Sequence, residues 1–221
     1  MQELNLLDRG PIPYMEGDRI QREVFEQVAA GERDHTLIVA QFEATYTAGR
    51  QTKPEDILNS DLPVVRIDRG GSVTWHGPGQ LVIYPIVKLA PPADRIKYIR
   101  AVEAAVIEAA QDTWNIPATT IEGKAGAWLR DPDRKICAIG LKVARDTTMH
   151  GVAFNIDPDF SNAFTGIIPC GLVGMGVTSL KAEGVSATVD EVRVALVKKL
   201  REKLDPLLET IRLETISEGA H

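Results

Sequence analysis

Two side chains in the second half of the chain have the chemistry for acyl transfer, Lys135 and Cys170. Cys170 lies in Ile167-Ile-Pro-Cys-Gly-Leu172. Proline before it and glycine after it set a rigid bend with an accessible backbone amide, a frame for a nucleophile and an oxyanion donor. A solitary cysteine is more often a small, inert buried filler. Lys135 opens an apolar strand, and an ammonium beside a thiol lowers the thiol pKa and supplies thiolate near neutral pH. Nothing in the sequence shows that the two side chains meet. Cys137 is the competing thiol, and strand alternation puts it on the face of Lys135. Ile136-Cys-Ala-Ile139 reads as a packed strand centre, so Cys137 is expected in the core.

A glycine-rich turn precedes them, Arg69-Gly-Gly-Ser-Val-Thr-Trp-His-Gly-Pro-Gly-Gln-Leu81. Gly70 and Gly71 lack side chains, so a ligand can lie directly on the main chain there. Gly77, Pro78 and Gly79 set a second bend. Arg69 offers a planar fork of donors, and His76 is a group able to exchange a proton near neutral pH. A hairpin with two tight turns would use the same glycines; the added Arg and His favour a binding site. Two small-residue stretches, Ala138 to Gly140 and Gly151 to Ala153, fall on facing strands. Either a narrow apolar chain lies between them or the strands pack closely.

Other chemistries lack their residues. The chain has no G-x-x-x-x-G-K-[ST] and no G-x-G-x-x-G between a strand and a helix. His35, His76, His150 and His221 are scattered without H-E-x-x-H, and no G-x-S-x-G elbow occurs. Neither metal nor nucleotide cofactor is expected.

The elements that must position these groups are legible in the patterning. Ile20, Val24, Phe25 and Val28 predict a helix over about 17–30, with Gly31 as its stop. Thr36 to Ala40, Pro63 to Ile67 and Gln80 to Val87 read as strands. Asp94 caps a long helix whose expected buried stripe is Ile96, Ile99, Val102, Val106 and Ala110, ending near Trp114. Strands follow near Thr119 to Glu122 and Gly126 to Leu129. Asp131-Pro-Asp-Arg134 turns into a strand from Lys135 to Val143, which a looser connection joins to a return strand from His150 to Ile156. Ile167 to Ser179 reads as loop. Thr188-Val-Asp-Glu191 is a capping box for a helix toward Leu204, and Pro206 ends it. Interleaving without strict β-α-β alternation predicts an α/β (α+β) fold, a mixed central sheet with flanking helices.

At 221 residues, 44% hydrophobic and 25% charged, one globular domain spanning 1–221 is expected. A net charge of -6 argues against a general nucleic-acid binder. A local patch can still oppose that balance, and Arg95, Lys97 and Arg100 share one helix, though for those three alone a solvated face is the better reading. The N-terminal residues carry no secretory pattern, and Ile167 to Val177 is too short to span a bilayer. Two distant cysteines fit a reducing, cytoplasmic setting.

The motifs together resemble the lipoyl(octanoyl) transferase family. They are Tyr46-Thr-Ala-Gly-Arg50, the turn from Arg69 to Leu81, Tyr84-Pro-Ile86, Lys135-x-x-Ala-x-Gly140, His150-Gly-x-Ala-x-Asn155 and Ile168-Pro-Cys-Gly171. They run in the family's order over most of the chain. Gln41-Phe-Glu-Ala-Thr45 departs from the family's acidic-histidine-proline sequence, so no role is carried onto residues 41–45. The resemblance implies the fold of biotin and lipoate protein ligase catalytic domains. It implies a thioester acyl-enzyme on Cys170, with Lys135 lowering the thiol pKa and helping to deprotonate the incoming amine. It implies acyl-binding segments at Arg69, Gly70, Gly71, Ser72, Val73, Thr74, Trp75 and His76, at Ala138, Ile139 and Gly140, and at Gly151, Val152 and Ala153. The implied donor is octanoyl-acyl carrier protein. The implied acceptors are lipoyl domains of 2-oxoacid dehydrogenase E2 subunits and the glycine cleavage H protein. Three other readings fit: an ATP-dependent lipoate- or biotin-protein ligase, a lipoyl-domain amidotransferase, and a non-catalytic acyl- or lipoyl-domain binder.

Overall fold

Thr36-Leu-Ile-Val-Ala40 shows no polar alternation, and a strand of that kind needs apolar cover on both faces. It finds it: all five residues are buried in β2 (Thr36–Ala40). Leu37 and Val39 enter one core with Leu81, Ile83 and Val152, while Ile38 and Ala40 enter a second with Val82, Tyr84 and Ala153. The computed structural model describes residues 1–58, 61–168 and 175–211.

Seven strands lie side by side in the order β1 (Gln2–Asn5), β2, β6 (Gln80–Ile86), β10 (Thr147–Asn155), β9 (Arg134–Ala144), β8 (Lys124–Leu129) and β7 (Thr119–Ile121). A short β11 (Gly176–Val177) pairs in parallel with β9, and β1 pairs in parallel with β2; the other neighbours are antiparallel. The mixed sheet expected from the sequence is present. A second sheet holds β4 (Val64–Arg66), β3 (Thr45–Ala48) and β5 (Val73–His76). The first core is covered by α2 (Arg95–Trp114) and α4 (Val189–Leu204), the second by α1 (Tyr14–Ala30). A four-residue α3 (Phe160–Ala163) lies beside the second sheet's core of Tyr46, Val73 and Trp75.

Helix ends follow their local chemistry. Gly31 closes α1 in the left-handed region at φ 78°. Asp94 accepts the Lys97 N–H at the start of α2, and Thr188 and Glu191 form the reciprocal box on α4. Two expectations change. Tyr98, rather than Ile96, opens the buried stripe of α2, which continues through Val102, Ala105, Val106 and Ala109; Ile96 is 73% exposed. Those positions follow the 3.6-residue period on the sheet side, and Ile96 falls off it. The connection between β9 and β10 is a tight two-residue turn, Arg145 and Asp146 at φ 52° and 54°. A two-residue hairpin of this kind is normally announced by Asn-Gly or Asp-Gly, and Arg-Asp hides it.

Candidate active site

Register brings the small-residue stretches face to face: Ala138 opposite Ala153, Ile139 opposite Val152 and Gly140 opposite Gly151. All six line one cavity of about 360 Å³, within the usual range for small-ligand sites. Because β9 and β10 are hydrogen-bonded neighbours, no chain passes between them. The cavity opens on their surface. Close packing accounts for part of the pattern. A Cβ on Gly151 would sit 2.1 Å from the Ile83 carbonyl oxygen, and one on Gly140 would sit 2.8 Å from Arg69 Cδ. Gly151→Ala is expected to cost about 2–4 kcal/mol, since the clash is with backbone. A urea midpoint equal to wild type would contradict that.

The glycine turn divides by alternation. Ser72, Thr74 and His76 line the cavity with Arg69, Gly70 and Gly71, whereas Val73 and Trp75 point the other way into the core with Tyr46. Val73 and Trp75 therefore do not face the cavity, because β5 exposes every second residue to it. The Arg69 guanidinium turns inward. It donates to the Thr47 carbonyl at 2.7 Å, Thr47 Oγ1 at 3.1 Å, the Ser72 carbonyl at 2.7 Å and the Gly70 carbonyl at 2.9 Å. Ser72 Oγ in turn donates to Asp56 Oδ2. These bonds tie the turn to the Tyr46–Arg50 segment.

His76 does not meet the expectation of proton exchange near neutral pH. Burial pushes its imidazole down to about 3, against the opposing hydrogen bond to Gln80. The folded protein keeps His76 neutral while an unfolded chain protonates near 6.5, so its contribution is complete above pH 6.5 and is lost as pH falls. By pH 5 the loss is about 2 kcal/mol. Urea midpoints at pH 7.5 and pH 5 should show it, and His76→Gln should flatten the difference.

Tyr14, Tyr84 and His150 complete the wall. Their signal in the sequence was weak. Tyr84 and His150 stood in family motifs without a role, and Tyr14 falls before the helix expected over about 17–30, which in the structure begins at Tyr14. Tyr14 stacks on His76 with ring centres 5.7 Å apart, and Tyr84 meets His150 edge-on at 6.0 Å. Phe42, from the segment that breaks the family pattern, packs 5.1 Å from Tyr14 and 6.1 Å from Tyr84. It backs the wall with an apolar ring.

His150 holds this end together. Its backbone is left-handed at φ 59°, a conformation a non-glycine residue keeps only when its surroundings fix it. Its N–H donates to Gln21 Oε1 at 3.1 Å, its Nδ1 meets Gln21 Nε2 at 3.3 Å and its Nε2 meets Asp68 Oδ1 at 3.0 Å. A Gln amide donates to Nδ1, so the neutral tautomer with its proton on Nε2 satisfies both sides. Burial lowers the His150 pKa, in keeping with that form. Asp68 stays ionised. Burial pushes its carboxyl upward, but hydrogen bonds from Lys142, His150 and Arg22 outweigh that and hold it well below the usual range. Asp68→Asn is expected to loosen α1 from the sheet and lower Tm by several degrees, as a thermal melt would show.

Lys135 lines the same cavity and is 7% exposed. Its Nζ lies 4.6 Å from the Trp128 ring centre, a cation–π contact. Its stem packs on Gly126, where a Cβ would lie 3.3 Å from Lys135 Cε and 2.6 Å from the Cys137 carbonyl oxygen. Cys137 belongs to the α2–α4 core, and burial pushes its thiol up to about 12, which leaves it an inert filler as expected. Cys170 lies outside the described residues. Among the described residues no group of three or more His, Cys, Asp or Glu is arranged to hold a metal ion, and no helix is long and apolar enough to cross a membrane.

The site therefore joins a mixed sheet, a cavity on its surface and a buried lysine in the cavity wall. Residues 13–201 match the Lipoyl protein ligase A/B catalytic domain. An octanoyltransferase of Mycobacterium tuberculosis is 42% identical over 210 residues, covering 94% of this chain and 90% of that one. Lipoate-protein ligase A bound with ATP superposes with a TM-score of 0.70 at 16% identity, over 99% of this chain and 90% of that one. A bi-partite lipoate protein ligase from Thermoplasma acidophilum, solved in a study with its E2 lipoyl domain, gives 0.65 at 15% identity, over 98% and 87%. Both structures bear out the fold. The chain belongs to the lipoyl protein ligase A/B catalytic-domain family, in its octanoyltransferase branch.

Proposed function

We propose that the protein moves an octanoyl group from octanoyl-acyl carrier protein to the ε-amine of a lysine on a lipoyl domain, through a thioester on Cys170. The observation that carries this is the pairing of an apolar-lined cavity with Lys135 buried in its wall. An eight-carbon chain gains about 0.8 kcal/mol for each CH₂ buried there, several kcal/mol in total.

In the first half-reaction the Cys170 thiolate attacks the thioester carbonyl. A new C–S bond forms, the bond to the carrier's sulfur breaks, and the carrier leaves as its thiol after taking up a proton. In the second, the acceptor amine attacks the acyl-enzyme and loses a proton. The amide forms as the bond to Cys170 breaks, and the Cys170 thiolate returns. Lys135 holds that thiolate as an ammonium in the first half and helps remove the amine's proton in the second. The thioester is already activated, so the cycle consumes no ATP. The acceptors are lipoyl domains of 2-oxoacid dehydrogenase E2 subunits and the glycine cleavage H protein, and the setting is the cytoplasm.

The test is to incubate the protein with octanoyl-carrier protein without ATP, map the adduct by peptide mass spectrometry, and then add a lipoyl domain. An octanoyl group on Cys170 that moves to the acceptor lysine is the expected result. Transfer that begins only when octanoate and ATP are supplied would assign a ligase instead.

A further inference from the structure

The first turn of α2, capped by Asp94, presents exposed cations to solvent. It carries Arg95 and Lys97 and no acidic residue, although cations near a helix N-terminus oppose the helix dipole. Ile96 between them is 73% exposed. Arg100, one turn on, is exposed and pairs with Glu103 at 2.9 Å. Among the described residues Arg95 and Lys97 make no side-chain ion pair. These cations stand in a chain of net charge -6.

The turn adjoins the acyl cavity. Ile99 lines that cavity together with Lys124, Ala125 and Lys135. Residues three and four apart share a helix face, so Ile96 and Arg95 continue the face of Ile99 away from the cavity. An exposed apolar side chain flanked by cations that make no ion pair among the described residues, continuous with the wall of a pocket, matches an acidic protein surface with an apolar spot at its centre.

We infer that the first turn of α2 is the docking surface for the acidic acyl carrier that delivers the thioester, with Ile96 as the apolar contact and Arg95 and Lys97 as the charges that orient it. The inference rests on the octanoyl transfer proposed above. The donor must feed a whole acyl chain into the cavity, so it docks where a wall residue of that cavity continues onto the surface. The acceptor has only to present the tip of one lysine.

The variant Arg95→Glu/Lys97→Glu and the single variant Ile96→Asp change exposed positions outside the cavity lining. Two measurements are made on the full-length protein: binding of the carrier by fluorescence anisotropy, and KM for octanoyl-carrier protein against KM for octanoyl-N-acetylcysteamine, a thioester with no protein attached. Carrier affinity should weaken about tenfold in the charge-reversal variant and carrier KM should rise in step, with kcat/KM for the small thioester within about twofold of wild type. Wild-type carrier binding should also weaken as salt is raised, and the variant's should not. Unchanged carrier affinity in both variants would overturn the inference, as would a rise confined to the KM of the lipoyl-domain acceptor. A wild-type protein that binds the carrier through this turn yet accepts no acyl group from either thioester would keep the docking surface and remove the octanoyl-transfer function.

Discussion

Cys170→Ala is expected to abolish transfer, lowering turnover by about 10⁴-fold or more, because the proposed two-step acyl transfer would lose its covalent carrier outright. Neither half-reaction can proceed through an alanine methyl. The other thiol cannot substitute: Cys137 is buried in the α2–α4 core and its thiol is pushed up to about 12. Mass spectrometry after incubation with octanoyl-carrier protein should find no adduct on the variant, and its circular dichroism and urea midpoint should match wild type. Near-normal turnover would remove Cys170 as the nucleophile. An adduct reappearing on Cys137 would overturn the description of that residue as inert.

Lys135→Ala should slow acylation by about 10²–10³-fold and raise the pH at which acylation begins. The sign follows from the charge. An ammonium beside a thiol favours the thiolate, so its removal raises the thiol pKa and moves the acidic limb of the acylation profile upward. Lys135→Met keeps most of the stem that packs on Gly126 and removes the ammonium over the Trp128 ring, so it separates loss of charge from loss of packing. Both variants should shift the limb in the same direction. If the profile of acylation against pH stayed in place in Lys135→Met, Lys135 would be a packing residue. The shift should persist with octanoyl-N-acetylcysteamine as donor, which separates it from any effect on carrier docking.

Much of the molecule was legible because local chemistry and tertiary demand agree. The run Thr36–Ala40, the αL glycine at Gly31, the Asp94 cap and the Thr188–Glu191 box each specify their element from within a few residues. The facing stretches around Gly140 and Gly151 were legible too, since only small residues permit the approach of Ile83 and Arg69. Where a local signal was absent, the sequence was silent. The Arg145–Asp146 turn carries no glycine, and Ile96 is apolar yet lies off the buried stripe of α2.

Residue types and their order thus determined most of the elements, the family and the candidate groups for acyl transfer. Only the tertiary structure decided which of them share a cavity. Strand alternation turned Val73 and Trp75 away from it, and burial took His76 out of the titrating range. The fold also brought Tyr14 from α1, Tyr84 from β6 and His150 from β10 into one wall. The physical reason is that pairing register, burial and hydrogen bonds such as His150 to Gln21, 129 residues apart, belong to the folded sheet and helices together. No stretch of sequence contains them by itself.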